Sequence, residues 1–136
     1  EVLNNNPIVI VDGAHNGDSA NKLRDAINKY FVFGKAVLIV GMSSDKRSGE
    51  IAAALSPLAS SVIITKSNHP RAASPDSIVN AFQKFGTIAE TANNVKSAIV
   101  RARQLTGQGD LICATGSLFI VGEVIEAVQQ EPITTH

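Results

Sequence analysis

Apolar and polar positions along the chain fall into two alternating kinds of segment. Pro7 to Val11, Lys35 to Val40, Ser61 to Thr65 and Asp110 to Ala114 are short runs dominated by aliphatic and β-branched residues, with Thr87 to Glu90 a weaker fifth. Their length and continuity predict strands buried on both faces. Between them apolar residues recur at helical spacing: Leu23, Ile27, Tyr30 and Phe31; Ile51, Leu55 and Leu58; Ile78, Val79, Phe82 and Phe85; Val95, Ile99, Ala102 and Leu105. Leu118 to Val128 reads as a last helix, apolar on most sides and therefore expected to be well buried. Ser74-Pro75-Asp76 is a helix start: serine can cap free amides, proline suits the first turn, and aspartate favours the positive end of the dipole.

Strands alternating with helices of this length predict βαβ units, hence parallel strands with helices packed on both faces. The expected fold is an α/β, three-layer, Rossmann-like domain whose mostly parallel sheet has five to six strands. Ligands in such folds bind beyond the carboxyl ends of the strands. Those ends carry Asp12-Gly13-Ala14-His15-Asn16, Gly41-Met42-Ser43-Ser44-Asp45, Lys66-Ser67-Asn68-His69-Pro70-Arg71 and Thr115-Gly116-Ser117. Both non-terminal histidines, His15 and His69, fall there.

The composition narrows the function. At 136 residues with 44% apolar content the chain is expected to form one domain, 1–136, around a real core. Twelve basic residues balance twelve acidic ones, and neither sign collects into a block, so neither nucleic acid nor a membrane surface is an expected partner. No apolar run approaches a bilayer span and no secretory leader is visible, which makes a cytoplasmic location the expectation. Cys113 is the lone cysteine, flanked by Ile112 and Ala114, and is expected to be a buried, inert thiol. A chain opening on Glu1 rather than Met reads as part of something longer.

Several ready-made motifs fail. A phosphate loop would need Gly-x-x-x-x-Gly-Lys followed by Ser or Thr, and none occurs. The dinucleotide fingerprint Gly-x-Gly-x-x-Gly is not met by Gly13 and Gly17. Gly41-Met42-Ser43-Ser44-Asp45 approaches a nucleophile elbow, but Asp45 replaces the second glycine, leaving Ser43 a loop or capping residue. A phosphoacceptor receiver would need paired acids after its first strand and another Asp after the third, where Thr65-Lys66 stands here.

What survives is the loop at 12–16, with a carboxylate at a strand end, an imidazole three residues on, and Asn16 as the expected helix cap. Such a loop can seat a polar ligand at a helix N-terminus, where free amides and the dipole favour negative charge; equally, Asp12 and His15 can simply satisfy loop amides. Ser117 offers a hydroxyl for a ligand or for capping a helix. Arg71, in a loop stiffened by Pro70, suits a two-pronged grip on a carboxylate or plain solvation.

Together, Asp-Gly-Ala-His-Asn at 12–16, Asn-His-Pro-Arg-Ala at 68–72 and Ala-Thr-Gly-Ser-Leu-Phe-Ile-Val-Gly-Glu-Val at 114–124 closely resemble the C-terminal domain of folylpolyglutamate synthase, in order and in spacing. That family includes dihydrofolate synthases and lies within the Mur ligase superfamily. The resemblance covers nearly the whole chain, and its 114–124 segment is the most specific part.

The resemblance implies a ligase in which ATP phosphorylates a folate or dihydropteroate carboxylate and the amino group of L-glutamate then attacks the acyl phosphate. It implies ATP and Mg2+, with the phosphate loop and most magnesium ligands in an N-terminal ATPase domain of the same parent chain. The present domain would then be inactive alone. Glu1-Val2-Leu3 resembles the stretch just after the family's interdomain hinge. By position, Asp12 resembles a carboxylate that contacts ATP, with Asn16 beside it, and His15 a histidine near the reacting centre. Ser117 matches a serine that helps to bind glutamate, and Arg71, with His69 in the same loop, an arginine that holds the amino acid in a cell-wall relative. Gly17 departs from the family, where proline is common as the first helical residue. The alternatives are the same domain of a cell-wall Mur ligase, which the 114–124 segment disfavours, and a non-catalytic nucleotide-binding module.

Overall fold

The computed structural model describes residues 2–5, 7–42, 47–66 and 74–129. Its elements in order are β1 (Val2–Asn5), β2 (Ile8–Asp12), α1 (Gly17–Tyr30), β3 (Ala36–Val40), α2 (Ser48–Leu55), β4 (Ser61–Ile64), α3 (Pro75–Gln83), β5 (Ala89–Thr91), α4 (Val95–Leu105), β6 (Leu111–Thr115) and α5 (Leu118–Gln129). The sheet runs β1-β2-β6-β3-β4-β5, parallel throughout except for β1, which pairs antiparallel with β2. The five strands read from the sequence are all present. The edge strand β1 is the addition: its polar Asn4 and Asn5 carry no apolar run to mark it.

Alternation along each strand divides the interior into two cores. On one face Ile10, Leu38, Val40, Ile64, Leu111 and Cys113 pack with Leu23 and Ile27 of α1, Ile51 and Leu55 of α2, and Ile78 and Phe82 of α3. On the other, Val11, Val37, Ile39, Ile63 and Ile112 meet Val95 and Ile99 of α4 and Ile120 and Val124 of α5. Because β3 and β6 are buried on both faces, they are apolar almost without interruption.

Several boundaries shift. Leu58 follows the end of α2, Tyr30 closes α1 but is 71% exposed, and Phe31 packs on the core from beyond the helix. Phe85 lies outside α3 and is 52% exposed, in a turn that Gly86 completes at φ +76. Ser74 is the N-cap of α3, with Pro75 first and Asp76 in the opening turn, yet its side chain makes no capping bond; instead Ser77 Oγ donates to the Ser74 carbonyl at 3.0 Å. Among its described side chains α5 buries fully only Ile120 and Val124, short of the burial expected, because it packs on β2, β6 and α4 with its outer side uncovered.

At the amino ends of the strands one carboxylate ties three segments together. Asp110 Oδ1 accepts from the Lys35 N–H and Oδ2 from the Gly107 N–H, both at 2.9 Å, while its carbonyl accepts from Ile8 at 3.0 Å. The Lys35 and Gly107 N–H groups favour the charged form and hold its carboxyl below the ordinary value of 3.8.

Candidate functional site

The site follows from where β6 lies. It runs between β2 and β3, whose following helices α1 and α2 pack on one face, whereas α5 leaves β6 for the other. Loops that part to opposite faces open a crevice at the carboxyl ends, the usual ligand position in open α/β sheets. The loop after Asp12 and the turn after Thr115 flank it, because Asp12 and Thr115 are paired residues of adjacent strands, and Thr115 pairs in turn with Val40.

The first loop is held rigidly at its far end. Asn16 caps α1, its Oδ1 accepting the Ser19 N–H at 2.8 Å, while Ser19 Oγ accepts from the backbone N–H groups of Asn16 at 3.2 Å and His15 at 3.1 Å. This capping box satisfies amides that would otherwise be open to a ligand and fixes the path of the chain. Asn16 is thus the cap expected of it, with its amide Nδ2 the part that remains to reach a ligand. Ala14 is buried and anchors the loop, whereas Asp12 and His15 are exposed.

The second turn depends on Gly116, at φ +118, a backbone conformation open chiefly to glycine. It delivers Ser117, which is 7% exposed and starts α5: its Oγ accepts from the Ile120 N–H at 3.2 Å, and its carbonyl from Val121 at 3.1 Å. Ser117 therefore caps a helix. Its hydroxyl proton remains available to donate, so capping and ligand binding are compatible.

Register thus sets Asp12 beside Thr115, with His15 and Asn16 in the loop that follows the one and Ser117 in the turn that follows the other. His69 and Arg71 lie outside the described residues, as do Ser43, Ser44 and Asp45. Cys113, two residues before Thr115 and on the same face, is buried as expected; burial foremost, and then the charge of Asp12, push its thiol up to about 12, so it stays protonated and unreactive. Among the described residues no group of three or more His, Cys, Asp or Glu is placed to hold a metal ion, and no helix is long and apolar enough to cross a membrane. Thr115, the threonine that ends the otherwise apolar strand β6, is fully buried.

The model of the Mur ligase glutamate ligase domain matches residues 1–118. The chain belongs to this family. The domain is 32% identical over 124 residues to the probable bifunctional folylpolyglutamate synthase/dihydropteroate synthase of Haloferax volcanii, an alignment covering 90% of this chain and 15% of that protein. Its fold matches Mycobacterium tuberculosis folylpolyglutamate synthase, solved with ADP and AMPPCP, at a TM-score of 0.88 and 29% identity, over 98% of this chain and 32% of the other. The bifunctional folylpolyglutamate synthase/dihydrofolate synthase of Yersinia pestis, solved with AMPPNP and a manganese ion, matches at 0.80 and 27% over 95% and 30%. The glutamate ligase domain described here spans about a third or less of the length of these relatives.

Proposed function

We propose that this chain is the C-terminal domain of an ATP-dependent folate:L-glutamate ligase. One observation supports the reading beyond family membership: strand register pairs Asp12 with Thr115, so two of the three segments that resemble folylpolyglutamate synthase start side by side. The substrates are ATP, L-glutamate and a pteroyl compound, either dihydropteroate or a reduced folate.

In the reaction, the γ-phosphoryl group of ATP passes to a carboxylate oxygen of the pteroyl substrate, giving ADP and an acyl phosphate. The amine of glutamate attacks the acyl carbon, loses a proton, and expels phosphate to leave an amide. Each residue has a task suited to its chemistry. Asp12, an acceptor only, suits the sugar hydroxyls of the nucleotide rather than its phosphates, with Asn16 Nδ2 as an adjacent donor. His15 supplies a donor where negative charge develops. The Ser117 hydroxyl donates to glutamate, and Arg71 grips a glutamate carboxylate, with His69 beside it.

By the family resemblance, the phosphate loop and the main ligands of Mg2+ belong to an N-terminal domain of the same parent chain. Closure of one domain on the other completes the site and excludes water, and the isolated domain does not turn over.

The test uses the full parent enzyme, with steady-state kinetics in each substrate. Asp12→Ala is expected to raise the KM for ATP with little effect on that for glutamate, and His15→Ala to lower kcat about 100-fold or more, the scale of one lost transition-state donor. Wild-type kinetics in both variants would remove this rim from the active site.

A further inference from the structure

Buried polar side chains are nearly always hydrogen-bonded, so the exceptions point to a use. Among the described residues three buried side-chain oxygens have no partner, those of Ser56, Thr65 and Thr115. Thr115 is fully buried, and it ends the central strand of the crevice. Alternation sets it on the same face as Leu111 and Cys113, and its paired residue Asp12 on that face with Ile8 and Ile10. Neighbouring strands lie about 4.8 Å apart, so the two side chains leave the sheet as neighbours on one face. The charge of Asp12 is felt on this face of β6, for it raises the Cys113 thiol. A valine would fill the same space without burying an oxygen. The threonine adds one proton donor next to a group that can only accept.

We propose that Thr115 is the positioning residue for Asp12: its Oγ1–H donates to one carboxylate oxygen, fixing the rotamer so that the other oxygen meets the nucleotide. The assignment rests on the role given to Asp12 above. Asp12 is exposed, so its side chain is free to change rotamer. The bond also gives the buried hydroxyl the partner it lacks.

Thr115→Val, Thr115→Ser, Asp12→Ala and the double variant Asp12→Ala/Thr115→Val, made in the full parent enzyme, separate the possibilities. Thr115→Val is expected to raise the KM for ATP about tenfold, as loss of a hydrogen bond to a charged group should. The KM for glutamate stays within about twofold and Tm changes little, since valine keeps the packing and the carboxylate left behind is exposed to water. Thr115→Ser keeps the wild-type KM, and Thr115→Val adds nothing to Asp12→Ala, because two residues acting through one contact are not additive. An impaired Asp12→Ala beside a Thr115→Val of normal KM would overturn the positioning role alone. So would penalties that multiply in the double variant, or a fall in Tm that accounts for the lost activity. A normal KM in Asp12→Ala would remove the role of Asp12 itself, and this inference with it.

Discussion

A Cβ placed on Gly116 would run into the carbonyl oxygen of Gly41. The two glycines end adjacent strands, and the Gly41 N–H donates to the Thr115 carbonyl at 3.3 Å. Gly41 has no more room, because the side chain of Ile120 and the carbonyl of Thr65 occupy the space where its own Cβ would be. This close approach lets the chain turn sharply after Thr115, begin α5 over the sheet, and bring Ser117 to the rim.

Gly116→Ala should therefore be costly. It combines a left-handed backbone, worth about 1–3 kcal/mol of strain, with a steric clash that the Gly41 backbone cannot relieve. Gly122, inside α5, is the internal control, because a Cβ there meets nothing within 4 Å. Gly122→Ala is expected to stabilise by about 0.5–1 kcal/mol. Denaturant titration of both variants checks this, and similar stabilities for the two would show that the approach of Gly116 to Gly41 does not constrain the fold.

Asp110 predicts an acid-dependent stability. Its folded-state pKa lies below the unfolded one, so its contribution is complete above the ordinary value of 3.8 and is lost as pH falls through the folded value. Asp110→Asn should lower Tm near neutrality, because an NH2 group, which cannot accept, replaces one of the two oxygens that Lys35 and Gly107 donate to. Its deficit against wild type should shrink as pH falls below 3.8. A deficit constant from pH 7 to pH 3 would show that the charge is not what stabilises the loop.

The cap at Asn16 separates structure from binding. Asn16→Asp keeps the acceptor for Ser19 and favours the helix dipole, so stability should be retained, whereas Asn16→Ala should lose about 1 kcal/mol. If Nδ2 also reaches the nucleotide, Asn16→Asp will weaken ATP binding at unchanged stability. Thermal unfolding with and without ATP analogue resolves the two effects.

Much of this was legible because burial on two faces demands continuous apolar runs, and β3 and β6 are such runs. The cap at Asn16 was legible too, since the side chain acts on its own first turn. Unreadable features depended on contacts distant in sequence. The edge strand β1 is defined by its pairing with β2 and has only Val2 and Leu3 as an apolar signature. The fit of Gly116 against Gly41 joins residues 75 positions apart, and Thr115 gains meaning only when register sets it beside Asp12. Ser117 shows the limit from the other side: its two readings, cap and ligand donor, turn out to be compatible in one geometry.

The ligase reading stands on one measurement above the others: ADP release by the full parent enzyme given magnesium, ATP and L-glutamate, with dihydropteroate, a reduced folate, or a UDP-muramoyl precursor as the acceptor. Release that requires a pteroyl acceptor and collapses in His15→Ala is the expected result. Release only with the muramoyl precursor, or with no acceptor dependence at all, would contradict it.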